Sequence, residues 1–267
     1  MSYIDLHAHI LPGLDDGPSS LEESLQTAWL AWEKGITRMV ATPHVVEGVY
    51  DHTREIIVEK TGELKRELER AGCPLVIYPG AEILLSKSLL DLIKEDRLTT
   101  LGNSTRYFFL EIPVNQPFPS YLGNILFQVR LKGFVPVIPH PERILSVQDN
   151  PNILIPLIQG GTLMQVTLTS LAGVMGKRAE KTARILLDCH MVHLLATDLH
   201  GPGPRLDSFE KGVERLGELA GKEAIGKYFK EVPEQILGGE EIEVPEPQEY
   251  KPLGPWQSFI KGFRKNT

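Results

Sequence analysis

Cysteine is scarce in this chain of 267 residues, which contains only Cys73 and Cys189. Two cysteines cannot form the disulfide framework of a small secreted protein, and their wide separation excludes a C-x-x-C metal site. The chain must instead be held together by apolar packing. With 42% hydrophobic residues, a chain of this length can bury one large core.

Long hydrophobic runs and an excess of positive charge are also missing. No stretch of 18 apolar residues occurs, which excludes a conventional transmembrane helix. The first residues lack the basic and apolar regions of a secretory signal. The net charge of −7 and the pI of about 5.7 argue against the basic face that a nucleic-acid groove requires. The sequence therefore predicts a cytoplasmic protein with no transmembrane segment and no nucleic-acid partner.

What the chain does contain is a regular alternation of apolar β-rich runs with stretches of helical spacing. The predicted strands are 3–7, 37–44, 75–83, 107–112, 134–140, 162–168 and 192–200. Predicted helices include 20–35, with Leu21, Leu25, Ala28, Trp29 and Trp32 on one face, and also 51–72 and 178–190. Strands alternating with helices predict an α/β fold with a parallel sheet. Seven strands suit a closed or nearly closed (β/α)7 barrel better than an open sheet, although the sequence alone leaves closure open.

The polar residues of this pattern are concentrated at the C-terminal ends of the predicted strands. In α/β barrels that face carries the active site. His7 and His9 are one residue apart, so both side chains point the same way from an extended strand, and Asp198 and His200 repeat this spacing. The candidate metal ligands are His7, His9, Asp16, His44, Glu82, Glu111, His140, Asp198 and His200.

This set of ligands predicts a metal centre. Four carboxylates in one cleft would repel each other, and divalent ions remove that repulsion. Imidazole and carboxylate ligands without thiolate suit manganese, iron or zinc. Nine ligands exceed the four of a single tetrahedral zinc, so two or three ions are expected. Three divalent ions would leave a net charge of about +2, which favours a dianionic substrate such as a phosphate monoester.

The remaining histidines are interpreted as ordinary structural or surface residues. His193 begins a predicted strand at the end opposite the site, and His52 and His190 lie in predicted helices.

The ordered motifs "DLHAHI" with a downstream "DD", "TPH", "GAEI", "LEI", "PHPER" and "TDLH" resemble the polymerase and histidinol phosphatase (PHP) superfamily. The similarity is greatest to its bacterial tyrosine-protein phosphatase branch, which acts on kinases that control capsule and exopolysaccharide synthesis. The resemblance covers about residues 3–237. It implies a single-domain, distorted TIM-like barrel, the PHP fold, over residues 1–237.

The resemblance also implies three metal ions, with manganese expected and iron or zinc as alternatives. The implied ligand groups are His7, His9, Glu82 and Asp198; Glu82, Glu111 and His140; and Asp16, His44 and His200. Arg143 and Arg205 match arginines that bind phosphate in the family, with ordinary surface salt bridges as the alternative for both. His200 or Asp198 is a further candidate to protonate the leaving phenolate, although a metal ligand is poorly free for that role.

The expected function is a metal-dependent phosphatase acting on phosphotyrosine, with the C-terminal tail of a bacterial tyrosine kinase as the expected substrate. The cysteine-dependent route is excluded, because the positions six residues after the cysteines are Pro79 and Leu195 rather than arginine. Two alternatives stay open. One is a small-molecule phosphomonoesterase that acts on a substrate such as histidinol phosphate, and the other is a non-catalytic module that binds phosphorylated tails.

The C-terminal residues 238–267 are predicted to lie outside the barrel. Residues 238–255 are acidic and proline-rich, which is typical of an extended linker. Residues 256–266 combine Trp256, Phe259, Ile260 and Phe263 with three basic residues. This tail is interpreted either as a peripheral docking element for a membrane surface or the kinase, or as a segment that packs on its own barrel or stays disordered.

Overall fold

The computed structural model describes residues 2–252. The predicted aromatic and basic tail, residues 256–266, lies outside the described residues.

Residues 2–252 form nine strands and eleven α-helices that alternate along the chain. The strands are β1 (Tyr3–Ala8), β2 (Ile36–Ala41), β3 (His44–Val45), β4 (Val76–Pro79), β5 (Glu82–Leu84), β6 (Tyr107–Glu111), β7 (Val135–Pro139), β8 (Leu163–Thr167) and β9 (Leu194–Ala196). The helices are α1 (Leu21–Glu33), α2 (Arg54–Arg70), α3 (Leu89–Lys94), α4 (Leu122–Leu131), α5 (Leu145–Asp149), α6 (Ile155–Gln159), α7 (Lys177–Asp188), α8 (Pro204–Asp207), α9 (Phe209–Ala220), α10 (Lys222–Gly226) and α11 (Val232–Gly238).

The strands are all parallel and close into a ring. Their hydrogen bonds form one sheet in the order β1-β2-β4 and a second in the order β3-β5-β6-β7-β8-β9. The ring is completed beside β1, where Ala8 pairs with Leu199 and the backbone N–H of Asp198 donates to the carbonyl of His7 at 2.9 Å. The predicted distorted α/β barrel is therefore confirmed.

Two of the predicted strands are interrupted, and this is the distortion of the barrel. The predicted strand 37–44 divides into β2 and β3 at Pro43, whose nitrogen carries no proton for a ladder hydrogen bond. The predicted strand 75–83 divides into β4 and β5 at Gly80. A Cβ atom at Gly80 would lie 2.6 Å from the side chain of Val40, so the close approach of β2 and β4 requires glycine at this position.

The three predicted helices are present as α1, α2 and α7. Ser20 caps α1, since its side chain accepts a hydrogen bond from the N–H of Glu23. The predicted apolar face of α1 is wrong in part, because Leu21 and Trp29 are exposed. Its buried residues are Ser24, Thr27, Ala28 and Ala31, whose small side chains let the helix pack closely on the barrel.

The interior of the barrel has an apolar lower part and a polar upper part. Tyr107, Phe109 and Glu111 alternate along β6 and therefore share one face. The two aromatic side chains pack with Val137 and Leu163 in a buried cluster, whereas Glu111 lies at the C-terminal end of the strand. The alternation of a single strand thus places a carboxylate above a hydrophobic floor.

Residues 240–252 contain neither helix nor strand, but they lie against the barrel. Ile242 is buried, and the hydroxyl of Tyr107 donates to the carbonyl of Glu240. The backbone N–H of Tyr250 donates to the side chain of Asn152 at 2.8 Å. The described part of the predicted linker thus covers the N-terminal end of the barrel, and the domain boundary at residue 237 stays a prediction. Among the described residues, no helix combines the length and the apolar character that a bilayer crossing requires.

Candidate metal centre

The structure brings all nine predicted ligands together at the C-terminal end of the barrel. His7 lies in β1, His44 begins β3, Glu82 begins β5 and Glu111 ends β6. The other five lie in the loops that follow strands: His9 and Asp16 after β1, His140 after β7, and Asp198 and His200 after β9. Parallel strands in a closed ring deliver their C-terminal ends to one face, so residues distant in sequence meet there.

Glu82 lies at the centre of the cluster. Its Oε2 atom is 3.2 Å from His7 Nε2, from His9 Nε2 and from His44 Nδ1. Its Oε1 atom is 2.7 Å from His140 Nε2. Glu82 is fully buried, and within residues 2–252 its Oε2 atom has no hydrogen-bond partner. A buried carboxylate oxygen that faces three imidazole nitrogens without a hydrogen bond is the arrangement expected of a metal ligand.

Asp198 is the second buried carboxylate. Its Oδ1 atom lies 3.5 Å from His7 Nε2 and 3.6 Å from His9 Nε2. Both Asp198 and His140 have positive φ angles, of 53° and 39°. This left-handed backbone is costly for non-glycine residues and is concentrated at functional sites. Here it turns the chain immediately after β7 and near β9, where the two side chains join the cluster.

The more exposed ligands form the rim. Asp16 Oδ1 lies 3.2 Å from His200 Nε2 and 3.7 Å from His44 Nε2. Glu111 Oε2 lies 3.5 Å from His44 Nδ1. Three groups have ligand atoms within 4.8 Å of one another: His7, His9 and Asp198; His44, Glu82 and Glu111; and His9, Asp16, His44 and His200.

These groups differ in detail from the ligand sets that the resemblance implied. His44, expected only in the set with Asp16 and His200, faces Glu82 and Glu111 with Nδ1 and Asp16 with Nε2. His140 is outside the three groups but contacts Glu82. The assignment of each ligand to an individual ion therefore stays a prediction.

Two residues that support the histidines were missed as site residues. Asp15 Oδ2 lies 2.6 Å from His9 Nδ1, and Gln165 Oε1 lies 2.8 Å from His7 Nδ1. Such contacts fix the orientation of a ligating imidazole and leave its other nitrogen free for the metal. The paired aspartates at 15 and 16 were a usable signal for Asp15. Gln165 lies in β8, and nothing in the local sequence distinguishes it.

The close charges of the cluster shift the pKa values of its members. Burial and the neighbouring Glu82 carboxylate raise the pKa of Glu111 to about 8. Burial lowers the pKa of His9, but its contacts with Asp15 and Glu82 outweigh burial and raise that pKa to about 10. Without a metal ion, protonation of Glu111 and His9 at neutral pH reduces the repulsion between the carboxylates of the cluster. The donor set, imidazole and carboxylate without thiolate, fits divalent manganese, iron or zinc.

Arg143 and Arg205 both reach the cluster. Arg143 Nη1 donates to Asp198 Oδ2 at 2.7 Å, and Arg205 Nη1 lies 3.0 Å from the same oxygen. Arg205 also contacts His200, with 2.6 Å between Nη1 and Nδ1. Their partner is a buried site carboxylate rather than a surface acid, while the arginine side chains themselves remain 28% and 23% exposed. Both arginines thus pair with the cluster while their side chains stay partly accessible to solvent.

The three histidines interpreted as non-ligands lie outside the groups described above. His193 is buried, and its Nδ1 accepts a hydrogen bond from the N–H of Met164 at 3.0 Å. His190 follows α7 in a turn, and His52 precedes α2, so their placement inside helices was wrong. His52 instead forms a hydrogen bond with the carbonyl of Leu14 in the loop after β1.

Comparison with known proteins gives consistent matches over most of the chain. The family model for capsular polysaccharide synthesis proteins, CpsB/CapC, matches residues 3–238. The tyrosine-protein phosphatase YwqE of Bacillus subtilis is 32% identical over 248 residues, covering 93% of this chain and 96% of YwqE. The putative tyrosine-protein phosphatase CapC of Staphylococcus aureus is 30% identical over 236 residues, covering 88% and 89% of the two chains.

A solved structure also matches. It comes from work on YwqE from Bacillus subtilis and CpsB from Streptococcus pneumoniae, described as unique metal-dependent tyrosine phosphatases. Its TM-score is 0.88 at 31% identity, covering 93% of this chain and 100% of the matched chain.

Proposed function

This chain belongs to the CpsB/CapC family of capsular polysaccharide synthesis proteins, and we propose that it is a metal-dependent protein-tyrosine phosphatase. The resemblance to the tyrosine-phosphatase branch of the PHP superfamily is confirmed by the family match and by the similarity to YwqE. The observation that carries the proposal is the convergence of imidazole and carboxylate groups around Glu82 Oε2.

Two or three divalent ions would be held by the predicted ligands, with manganese as the expected metal and iron or zinc as alternatives. Glu82 is the central ligand, because its two oxygens face four different imidazoles. Bound divalent ions would acidify a water molecule and neutralise charge on the phosphoryl oxygens. Asp15 and Gln165 would hold His9 and His7 in the orientation that this requires.

Arg143 and Arg205 would bind the phosphoryl group. Their guanidinium groups converge on one oxygen of Asp198 from the partly exposed side of the cluster. A planar guanidinium offers paired donors that match the spacing of phosphoryl oxygens. The two predicted proton donors to a leaving phenolate, His200 and Asp198, are also proposed metal ligands. His200 Nδ1 faces an N–H of Arg205, and Asp198 is paired with both arginines, so protonation of the leaving group by either residue stays a prediction.

The proposed substrate is phosphotyrosine in a protein, and the proposed partner is the C-terminal tail of a bacterial tyrosine kinase. Support comes from the tyrosine-protein phosphatases among its relatives and from the capsule-synthesis family to which the chain belongs. A phenolate, with a free pKa of about 10, leaves more readily than the alkoxide of phosphoserine. Peripheral docking through the tail and a cytoplasmic location also remain proposals, and both derive from the sequence.

The proposal is tested by hydrolysis of a phosphotyrosine peptide, a phosphoserine peptide and histidinol phosphate by the purified protein. Phosphotyrosine should be the preferred substrate, chelation should abolish turnover, and manganese should restore it. The variant Glu82→Gln should lose bound metal, measured by elemental analysis. The exposed carboxylate Glu95 gives a matched control, since Glu95→Gln should keep full metal content.

Faster turnover of histidinol phosphate would identify the small-molecule alternative. Tight binding of phosphopeptide without turnover by the metal-loaded protein would identify the non-catalytic module. An active protein free of metal would refute the metal centre itself.

A further inference from the structure

The loop that follows β3 is held in a defined turn next to the metal centre. The N–H of Val46 donates to the carbonyl of Tyr50 at 3.1 Å, and the N–H of Tyr50 donates back to the carbonyl of Val46 at 2.8 Å. Gly48 has a φ of 77°, and its N–H donates to Asp51 Oδ1 at 2.8 Å. These bonds fix the backbone position of Tyr50 even though it lies in a loop.

The ring of Tyr50 lies beside a predicted ligand. Its centroid is 6.1 Å from that of His44, and the two planes differ by 12°. The ring of His52 is also near Tyr50, with 6.2 Å between the two centroids and 22° between the two planes. His52 in turn forms a hydrogen bond with the carbonyl of Leu14, next to the two aspartates of the site. Tyr50 therefore lies near both an imidazole of the metal centre and a histidine anchored to the β1 loop.

Exposure within the cluster indicates where a substrate enters. His7, His9, Glu82, His140 and Asp198 are buried at the base of the site. The accessible part is the rim, where the side chains of His44 and Asp16 are 16% and 57% exposed. Tyr50 is itself only partly buried and stands beside His44. A phosphate monoester that reaches the ligands from solvent must place its organic group near this rim.

We propose that Tyr50 contacts the phenyl ring of the phosphotyrosine substrate and favours aryl over alkyl phosphate esters. This inference rests on the proposed tyrosine phosphatase function and deepens it. In phosphotyrosine the aromatic ring is bonded directly to the ester oxygen, so a phosphoryl group bound at the rim beside His44 would hold that ring close to Tyr50. Aromatic pairs with centroids within about 4.5–7 Å attract each other in offset or edge-to-face geometry.

The test compares phosphorus oxyanions that carry an aromatic ring, a methyl group or no organic group. Inhibition constants of phenylphosphonate, methylphosphonate and inorganic phosphate are measured on the metal-loaded, full-length protein. The variants are Tyr50→Ala, Tyr50→Phe and the control Val49→Ala, which alters a side chain that is 67% exposed in the same turn. Metal content and the KM and kcat for a phosphotyrosine peptide are measured in parallel.

Loss of the aromatic contact in Tyr50→Ala should raise the inhibition constant of phenylphosphonate about two- to tenfold. Methylphosphonate, inorganic phosphate and metal content should stay at wild-type values. The KM for the phosphotyrosine peptide should rise with kcat little changed, and Tyr50→Phe and Val49→Ala should behave as wild type.

Equal weakening of all three inhibitors together with loss of metal would show that Tyr50 merely positions His44, and would overturn the proposal. Unchanged phenylphosphonate inhibition in Tyr50→Ala would overturn it as well. Failure of the wild-type protein to hydrolyse phosphotyrosine would refute the proposed function itself. This activity is therefore measured before any variant is compared.

Discussion

Replacement of Asp15 by asparagine tests a residue that orients a predicted metal ligand without being a predicted ligand itself. Asp15 Oδ2 lies 2.6 Å from His9 Nδ1 and also accepts the backbone N–H of His44 at 3.0 Å. Its Oδ1 accepts the N–H of Gly17 at 2.9 Å. Asparagine has the same shape but only one acceptor oxygen, so one of these donors must face the amide NH2.

The size of the effect follows from these contacts. Loss of a group that orients a ligating histidine typically lowers metal affinity 10- to 100-fold, which is about 1.4–2.7 kcal/mol. Leaving a buried donor unpaired costs about 1–3 kcal/mol of folding stability in addition. We therefore expect Asp15→Asn to weaken metal binding at least tenfold and to unfold at a lower temperature even without metal.

The assay is a metal titration in competition with a chromophoric chelator, together with thermal unfolding of the metal-free and metal-loaded protein. Asp149→Asn is the matched control, because the Asp149 side chain is 74% exposed and pairs with Arg178 at the surface. A metal affinity of Asp15→Asn within twofold of wild type would refute the supporting role of this carboxylate.

Three further predictions concern other parts of the molecule. Arg143→Ala and Arg205→Ala should each lower kcat about 10²-fold with metal content intact, and lysine should rescue only part of this loss; unchanged steady-state kinetics in both would return them to structural roles. Burial and the nearby Lys227 lower the pKa of His193 to about 4. The unfolded chain then binds more protons than the folded chain, so the free energy of unfolding should fall as the pH drops from about 6.5 towards 4. At pH 5 the loss should be about 2 kcal/mol. Denaturant unfolding of His193→Asn should lack that part of the pH dependence, and parallel curves for the two proteins would contradict this. Removal of residues 240–267 should lower the melting temperature, because Ile242 is lost and Tyr107 loses its acceptor at Glu240. The metal-loaded truncated protein should still hydrolyse a small aryl phosphate at the wild-type rate, and a collapse of turnover in the folded protein would place this segment in the active site.

The identity of the cluster could be predicted from sequence because each candidate ligand follows a local rule. His7 and His9 occupy alternate positions of one strand, and Glu111 ends another strand whose lower residues are aromatic. Strand ends in a parallel barrel are brought to one face by the fold, so polar residues at those ends are expected to meet, and Asp16 joins them from the loop after β1. No contact between distant residues had to be known in advance.

Other features depend on such contacts and could not be predicted. The paired aspartates give no indication that Asp15 holds His9 whereas Asp16 faces His44 and His200. Gln165 is one polar residue in a buried strand until the ring closes and places it beside His7. Helix α1 likewise packs through the small residues Ser24, Thr27, Ala28 and Ala31, while Leu21 and Trp29 face solvent, which its apolar spacing does not indicate.

The sequence by itself determined the seven-strand α/β pattern, the family and the set of residues able to bind metal, because all of these follow from hydrophobic periodicity and short motifs. Only the tertiary structure decided how these residues share their partners. Closure of the ring through Leu199 and Ala8, the breaks at Pro43 and Gly80, and the left-handed backbone of His140 and Asp198 orient the side chains around Glu82. The physical reason is that a strand end specifies a position on the barrel, whereas the distance between two side chains depends on the packing of every strand between them.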